Sequence, residues 1–218
     1  MPALRSRLLE TFVPCILASG SPRRRELLSS LGLAFTVQAP PPGVEPLPEP
    51  GESPEAHVAR SALAKALSGL AFANTAPHPI IIAADTVVSL AGQIFGKPAS
   101  HDQALAFLSR LSGQTHAVTT GVAIAHAGGI LSFQATTHVT FWDCPAPLLE
   151  TYAADKEVLD KAGAYAIQGK GAFLVQKICG SWSNVVGLPV TELVVCLLDN
   201  HLAFAGKKNC PPPGSLSR

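Results

Sequence analysis

ILASGSPRRRELLSSL, residues 16–31, contains the clearest structural signal in the sequence. Its first residues, Ile16–Ala18, are apolar and predict a short strand. Ser21 is suited to cap a helix, and Pro22 is suited to the first helical position, where no backbone N–H is needed. Leucines at helical spacing then give the helix a buried face, and Gly32 predicts its end. The segment therefore predicts a strand, a tight turn and a helix.

The turn and the start of this helix are also suited to bind an anion. Free backbone N–H groups and the positive end of the helix dipole favour negative charge there. Ser19 adds a hydroxyl, while Arg23 and Arg24 add planar guanidinium donors that match phosphate oxygens. A capped surface helix with solvated arginines is the alternative, and this segment alone leaves both open.

A single carboxylate interrupts an apolar stretch of the sequence, IIIAADTVVSL at 80–90. The stretch predicts a buried central strand, and an isolated charge in such a strand is costly unless it is paired or holds a metal ion. Asp85 is therefore a candidate functional residue, and the Thr86 hydroxyl beside it is able to donate to a ligand. The alternative is an aspartate at a strand end that caps a neighbouring turn.

The rest of the chain alternates between helical and extended patterns. Capping residues and apolar spacing predict further helices over 53–70, 101–112, 144–155 and 191–203. Apolar and β-branched runs predict further strands over 35–38, 115–126, 130–142, 165–179 and 185–186. Residues 39–54 are rich in Pro and Glu and predict an irregular loop. This alternation predicts an α/β fold.

Composition limits the class of protein. Of 218 residues, 47% are hydrophobic and 14% are charged, which favours a packed domain over a disordered chain. The net charge of +1 argues against nucleic acid as a partner, and no apolar run is long enough to span a membrane. Scattered cysteines predict reduced thiols in a cytoplasmic protein. We expect a single domain over 1–205, with 1–13 as an N-terminal extension, and a flexible proline-rich tail over 206–218.

Three lysines and a small-residue segment complete the candidates. Lys65, Lys97 and Lys161 each lie in or beside an apolar stretch, where a long surface side chain is the alternative to a phosphate contact. The segment AGAYAIQGKG at 162–171 allows a flat ligand close to the backbone. Gln168 within it carries a donor and an acceptor that suit the edge of a base. A close-packed strand pair with a glycine bulge is the alternative for this segment.

Six motifs follow one another over roughly residues 16–198: LASGSPRRRELL (17–28), ADTVV (84–88), GKP (96–98), LSGQTH (111–116), LDKAGAYAIQG (159–169) and VVGLP (185–189). In this order they resemble the Maf family of nucleotide pyrophosphatases. Each motif is weak alone, but six in the same order are specific.

The resemblance implies a fold similar to that of inosine triphosphate pyrophosphatases, with a long curved mixed sheet, flanking helices and a cleft between two lobes. It implies hydrolysis of a nucleoside triphosphate between the α- and β-phosphates, aided by Mg²⁺ or Mn²⁺. Asp85 matches the family's catalytic acid, which accepts a proton and is associated with the metal. The expected phosphate-binding positions are Ser19, Arg23, Arg24, Lys65 and Lys97, and those associated with base choice are Arg23, Thr86 and Gln168.

Two details refine this expectation. The motifs around Asp85 and Gln168 resemble the branch of the family that hydrolyses dTTP and UTP rather than 7-methyl-GTP. After its first helix the family has an acidic pair, one member of which helps to bind the metal. Here Glu45 matches one acid and Pro46 replaces the other. Glu45 is therefore the expected second metal ligand, with a shifted Glu49 as the alternative.

Two other functions stay open on the sequence. The same residues could form a nucleotide-binding regulator of cell division or septum formation that has lost hydrolysis through the change at Pro46. The chain could also be a pyrophosphatase for modified nucleotides. A homodimer is expected by analogy with the family only.

Overall fold

The computed structural model describes residues 7–70 and 78–206. Its strands are β1 (Leu9–Thr11), β2 (Cys15–Leu17), β3 (Thr36–Val37), β4 (Ile80–Leu90), β5 (Gln93–Phe95), β6 (Thr115–His126), β7 (Gly129–Phe141), β8 (Val175–Cys179) and β9 (Ala203–Ala205). Its helices are α1 (Pro22–Ser30), α2 (Pro54–Leu70), α3 (His101–Leu111), α4 (Ala146–Ala153), α5 (Trp182–Val186) and α6 (Val190–Asp199). Short 3-10 turns connect α4 to β8 at Lys156–Asp160, Ala162–Ala164 and Lys170–Leu174.

Seven strands form one mixed sheet in the order β3-β2-β4-β6-β7-β8, with β5 paired to β4. Strand β2 pairs in parallel with β3 and β4, while the pairs from β4 through β8 are antiparallel. The apolar run that contains Asp85 becomes the central strand β4, because helices cover both of its faces. The predicted α/β class, with a mixed sheet flanked by helices, is confirmed.

Helix α2 packs closely on one face of this sheet through small side chains. Ala62 and Ala66 are fully buried in a cluster with residues of β2, β4 and β6. Gly121 of β6 permits the close approach, because a Cβ at this position would lie 2.6 Å from the Val58 carbonyl oxygen. Since Gly121 pairs with Asp85 across β6 and β4, helix α2 crosses the sheet beside the candidate carboxylate.

Two further clusters complete the core. Helices α1 and α6 pack against the opposite face of β4, where Leu28, Ile82 and Leu193 are buried together. Helices α3 and α4 surround a second group that includes Leu108 and Phe141. Alternation along β4 therefore directs Asp85 to the face covered by α2 and the next residue, Thr86, to the face covered by α1.

Residues near the two ends of the described chain pair with each other. Strand β1 pairs antiparallel with β9, so that part of the predicted N-terminal extension lies in a small sheet. The predicted helix over 191–203 is wrong at its end, because helix α6 stops at Asp199 and a turn follows with His201 at φ 55°. The Gly206 N–H donates to the Leu8 carbonyl oxygen at 3.0 Å. The rest of the predicted tail lies outside the described residues.

Two predicted strands differ from the structure in the part of the chain after α4. The strand predicted over 165–179 is confirmed only for β8, because Gly169 adopts φ 98° and a 3-10 turn follows it. The strand predicted at 185–186 is wrong, since these residues belong to helix α5. Ser181 caps this helix with its side chain, and Gly187 ends it at φ 123°. The β-branched pattern did not reveal these caps.

The membrane and cysteine expectations can be compared with the described residues. No helix within 7–70 and 78–206 has the length and apolar composition needed to cross a bilayer. Cys15, Cys144, Cys179 and Cys196 are free thiols, as expected. Cys210 lies outside the described residues.

Candidate active site

A cleft with a volume of about 610 Å³ opens beside Asp85. Its walls come from the turn before α1, the proline-rich loop before α2, strand β4, the loop after β5 and the segments around α5 and 160–168. Apart from Glu49, the alternative metal ligand, the residues that the sequence singled out for catalysis, substrate or metal line this cleft: Ser19, Arg23, Arg24, Glu45, Lys65, Asp85, Thr86, Lys97 and Gln168. Segments that are far apart in the sequence therefore meet at one site. The role of each of these residues stays a prediction.

The Lys65 ammonium lies between two carboxylates in the cleft. Its Nζ donates to Asp85 Oδ1 at 2.7 Å and contacts Glu45 Oε1 at 2.8 Å, with the Ala84 carbonyl oxygen at 3.5 Å. The Lys65 side chain is only 4% exposed, whereas the Glu45 side chain is 63% exposed. The cost of burying the lysine charge is therefore offset mainly by Asp85, and Glu45 approaches from the solvent side.

The proline-rich loop brings Glu45, and not Glu49, to this ammonium. Glu49 lies 3.5 Å from Arg60 of α2 and is absent from the residues that line the cleft. Pro46, which replaces the second acid of the family pair, lines the cleft without a carboxylate. Of the two acids that the sequence left open, Glu45 is therefore the one next to Asp85.

Asp85 and Glu45 fit a hard divalent cation, although they are too few to enclose one. Both carboxylates contact the same ammonium nitrogen, so they converge on a point that favours positive charge. Within the described part of the chain, no group of three or more His, Cys, Asp or Glu side chains could hold a metal ion. A pair of carboxylates suits Mg²⁺, which keeps water ligands and shares oxygen atoms of substrate phosphates.

The turn before α1 leaves a hydroxyl hydrogen available to an anion. Ser19 is 4% exposed, and its Oγ accepts from the Ser21 N–H at 3.2 Å and from Arg24 Nη1 at 3.4 Å. Because both lone pairs are used, the Ser19 hydroxyl acts toward the cleft only as a donor. The Ser21 side chain caps the helix by accepting from the Arg24 N–H at 3.5 Å. These oriented donors at a helix start suit a phosphate.

Arg24 connects this turn with β4 and α5. Its Nε donates to the Gly187 carbonyl oxygen at 2.7 Å, and its Nη2 donates to Thr86 Oγ1 at 2.9 Å. Burial lowers the pKa of Arg24, and the negative charges of Asp85 and Glu45 oppose this effect. The guanidinium nevertheless stays charged, because its ordinary pKa is far above neutrality. Arg24 therefore brings a fixed positive charge to the floor of the cleft.

The direction of the hydrogen bonds at Thr86 follows from its neighbours. Thr120 Oγ1 donates to the Asn184 carbonyl oxygen at 3.2 Å, so the hydroxyl hydrogen of Thr120 is used. Thr86 Oγ1 lies 2.9 Å from Thr120 Oγ1, and we assign Thr86 as the donor in that contact. Since Thr86 also accepts from Arg24, only one lone pair remains, and Thr86 can only accept from a ligand. Sequence reasoning missed Thr120, because only the register of β4 with β6 reveals this pairing.

A second group of charges lies where the loop after β5 meets the 3-10 turns. Lys97 Nζ is 3.6 Å from Asp160 Oδ1, and Lys161 Nζ donates to Asp160 Oδ2 at 3.1 Å. Burial raises the pKa of Asp160, but the hydrogen bond from Lys161 and the positive charges of Lys161, Lys97 and Arg23 lower it overall. Sequence reasoning missed Asp160, since an acid beside a lysine is usually a surface ion pair. Arg23 and Gln168 line the same cleft and are half-buried.

We expect Arg24→Lys to destabilise the fold, because a single ammonium cannot reproduce the planar contacts with Gly187 and Thr86. The loss of hydrogen bonds from a charged group predicts a decrease of about 1.5–3 kcal/mol in the free energy of unfolding. Urea denaturation measures this change. The matched control is Arg25→Lys at the exposed neighbour, which should stay within about 0.5 kcal/mol of the unsubstituted chain. Equal stability of the two variants would contradict the structural role of Arg24.

Comparison with known proteins identifies the family. The family described as Maf-like protein matches residues 14–200. A relative from Nitratidesulfovibrio vulgaris, named dTTP/UTP pyrophosphatase, is 52% identical over 85% of this chain and 87% of its own length. Relatives of the same name from Myxococcus xanthus and Bacillus cereus are 48% and 46% identical, covering 84% and 82% of this chain and 90% and 91% of their own lengths. The chain therefore belongs to the Maf family.

Proposed function

We propose that this chain hydrolyses dTTP and UTP to the nucleoside monophosphate and pyrophosphate. The observation that carries the proposal is the Asp85 carboxylate, held by the buried Lys65 in the same cleft as a helix start whose donors suit an anion. Metal-assisted phosphoryl transfer to water uses a group that accepts a proton from the water. It also uses hydrogen-bond donors that hold the phosphates in place. Relatives in the Maf family that are named dTTP/UTP pyrophosphatase support the same activity.

The triphosphate is expected to lie along the start of α1. The Ser19 hydroxyl is oriented as a donor, and the guanidinium groups of Arg23 and Arg24 add positive charge. Lys97 lines the cleft and can exchange its weak contact with Asp160 for a phosphate oxygen. Positioning and charge neutralisation of this kind supply most of the acceleration in phosphoryl transfer.

Asp85 is placed to accept the proton of the attacking water. Lys65 holds its Oδ1 at 2.7 Å, and Oδ2 has no hydrogen-bond partner among the described residues. As the water oxygen bonds to the α-phosphorus, Oδ2 takes a water proton. The bond between that phosphorus and the bridging oxygen breaks, and its electron pair leaves with the pyrophosphate. The Lys65 ammonium keeps Asp85 oriented throughout.

Asp85 and Glu45 are the residues that would hold Mg²⁺ or Mn²⁺. When bound, the cation supplies positive charge against the negative charge that develops on the phosphate oxygens. Glu45 is exposed and belongs to the proline-rich loop, so its carboxylate can move from Lys65 to a cation without unpacking the core. Asp85 is fixed on the central strand.

Replacement of Asp85 by Asn tests the proposed proton acceptor with little change in the shape of the side chain. The amide is nearly isosteric, but it cannot accept a water proton, so pyrophosphate release from UTP should fall by about 10²–10⁴-fold. Release is measured with saturating nucleotide and Mg²⁺, and circular dichroism checks that the variant is folded. The matched control is Asp199→Asn, at an exposed aspartate that ends α6. Full activity of a folded Asp85→Asn chain would exclude Asp85 as the proton acceptor.

The hydrogen-bond direction at Thr86 supports the choice of uracil and thymine. Both bases carry a hydrogen on N3, whereas N3 of cytosine is an acceptor. With Thr86 assigned as an acceptor, it is suited to an N3–H donor and faces a repulsive contact with cytosine. Gln168, with a donor and an acceptor on one amide, complements the remaining base edge.

We expect Thr120→Val to weaken the preference for UTP over CTP. Valine cannot accept from Thr86, whose hydroxyl is then free to rotate and donate to cytosine N3. The ratio of the two kcat/KM values should fall by about tenfold, which corresponds to about 1.4 kcal/mol. Thr119→Val is the matched control, because Thr119 pairs with Thr136 on the opposite face of the sheet. An unchanged ratio in Thr120→Val would remove Thr86 from base selection.

The two alternatives are less well supported. The regulatory reading depended on the missing acid at Pro46, yet Glu45 still brings a second carboxylate to Lys65. A modified pyrimidine that keeps the N3–H donor would satisfy the same contacts, so this substrate class remains part of the proposal. A cytoplasmic location and a homodimer stay predictions from the sequence.

A further inference from the structure

The proline-rich loop that carries Glu45 is held by polar contacts and hardly at all by apolar packing. Residues 41–50 contain no helix or strand, and all of them except Val44 and Pro46 are exposed. The Leu47 side chain is 84% exposed. Among the residues that the structure describes, helix α2 makes all the polar contacts between 41–52 and other segments. The position of Glu45 therefore depends on α2.

Arg60 of α2 makes most of these contacts. Its Nη2 donates to the Leu47 carbonyl oxygen at 2.9 Å and to Glu52 Oε2 at 2.7 Å, while its Nε donates to Glu52 Oε1 at 2.8 Å. The Glu52 side chain is 9% exposed, and its Oε2 also accepts from the Glu49 N–H at 3.0 Å. The hydrogen bonds from Arg60, and then that from the Glu49 N–H, lower the pKa of Glu52 to about 2. An ionised Glu52 and the planar guanidinium thus form a bidentate pair that also holds the middle of the loop.

Prolines transmit the effect of this contact from Leu47 to Glu45. Pro46 lies between the two residues, and its ring fixes one of the backbone torsion angles. Glu45 and Leu47 each precede a proline, which restricts both of them to extended conformations. Few torsion angles are therefore free between the Leu47 carbonyl, which Arg60 holds, and the Glu45 side chain.

The contact of Glu45 with Lys65 cannot take the place of Arg60. Glu45 Oε1 lies 2.8 Å from Lys65 Nζ, but the glutamate side chain is 63% exposed, and an exposed partner makes an ion pair weak. In the proposed reaction Glu45 leaves Lys65 for a divalent cation, so this contact is lost. Arg60 contacts the loop backbone and Glu52, so its contacts remain in both positions of Glu45.

We propose that Arg60 is a positioning residue, which keeps Glu45 within reach of Asp85 and thereby raises the affinity of the cleft for a divalent cation. This inference rests on the proposed function. Arg60 holds the Leu47 carbonyl and Glu52, and it contacts neither the cation nor the substrate. Without the guanidinium the loop is less ordered, and ordering it when the cation binds costs free energy.

A double-mutant cycle with Glu45 tests this positioning role. Arg60→Met removes the donors of the side chain but keeps much of its apolar length, and Glu45→Gln removes the charge of the proposed ligand. Binding of Mn²⁺ alone to the full chain is measured by the loss of the free-ion signal in electron paramagnetic resonance. Each single substitution should weaken Mn²⁺ binding about tenfold, as is typical when a group that orients a metal ligand is removed. Because Arg60 acts through Glu45, the double variant should bind no more weakly than Glu45→Gln alone.

Two further variants complete the design. Arg60→Lys keeps the charge but loses the planar fork that serves Leu47 and Glu52 together, so it should weaken Mn²⁺ binding less than Arg60→Met. It takes the place of Arg60→Met in the cycle if that variant does not fold, which urea denaturation reveals. Lys177→Met, at an exposed lysine of β8, removes the same charge and should leave the affinity unchanged.

Unchanged Mn²⁺ binding in the folded Arg60 variants would overturn the inference. Additive effects in the double variant would also overturn it, since they indicate a structural role that does not act through Glu45. Failure of the unsubstituted chain to bind Mn²⁺ would overturn it as well. Failure of the proposed function is a different result: Mn²⁺ binding depends on Arg60 and Glu45, but dTTP and UTP are not hydrolysed.

Discussion

The ion pair between the buried Lys65 ammonium and Asp85 is the contact on which the arrangement of the cleft depends. A charge with a 4% exposed side chain is stable only when an opposite charge and hydrogen bonds accompany it. Asp85 satisfies this need from the central strand and Glu45 satisfies it from the proline-rich loop. Three segments that share no sequence pattern are thereby held around one point. In the proposed reaction, the divalent cation and the triphosphate would bind beside this point.

This ion pair depends on the close approach of α2 to the sheet. The absence of a side chain at Gly121 lets the α2 backbone approach β6 at the level of Asp85. The opposite face of β4 carries the network of Arg24, Thr86 and Thr120. One strand therefore directs Asp85 toward Lys65 on one side and Thr86 toward Arg24 and Thr120 on the other.

The sequence predicted which residues form the candidate site, but it did not predict how most of them are arranged. Asp85 was recognisable because a lone carboxylate contradicts the burial of the strand around it, and the turn at Ser19 because capping residues have strong local preferences. Thr120 and Gly187 were not recognisable, since their roles come from strand register and from a carbonyl group that any residue carries. The error at 185–186 has a similar cause: two valines favour a strand locally, but the cap at Ser181 and the glycine at 187 impose a helix. Pairing of β1 with β9 joins residues almost two hundred positions apart, which local patterns do not encode.

The most direct test of the account is pyrophosphate release from a panel of dTTP, UTP, CTP, GTP, 7-methyl-GTP and ITP, with Mg²⁺ or Mn²⁺ and with a chelator. The acceptor at Thr86 and the carboxylates of Asp85 and Glu45 predict metal-dependent release from dTTP and UTP well above the other nucleotides. Nucleotide binding without release from any member of the panel would contradict the account and favour a regulatory protein.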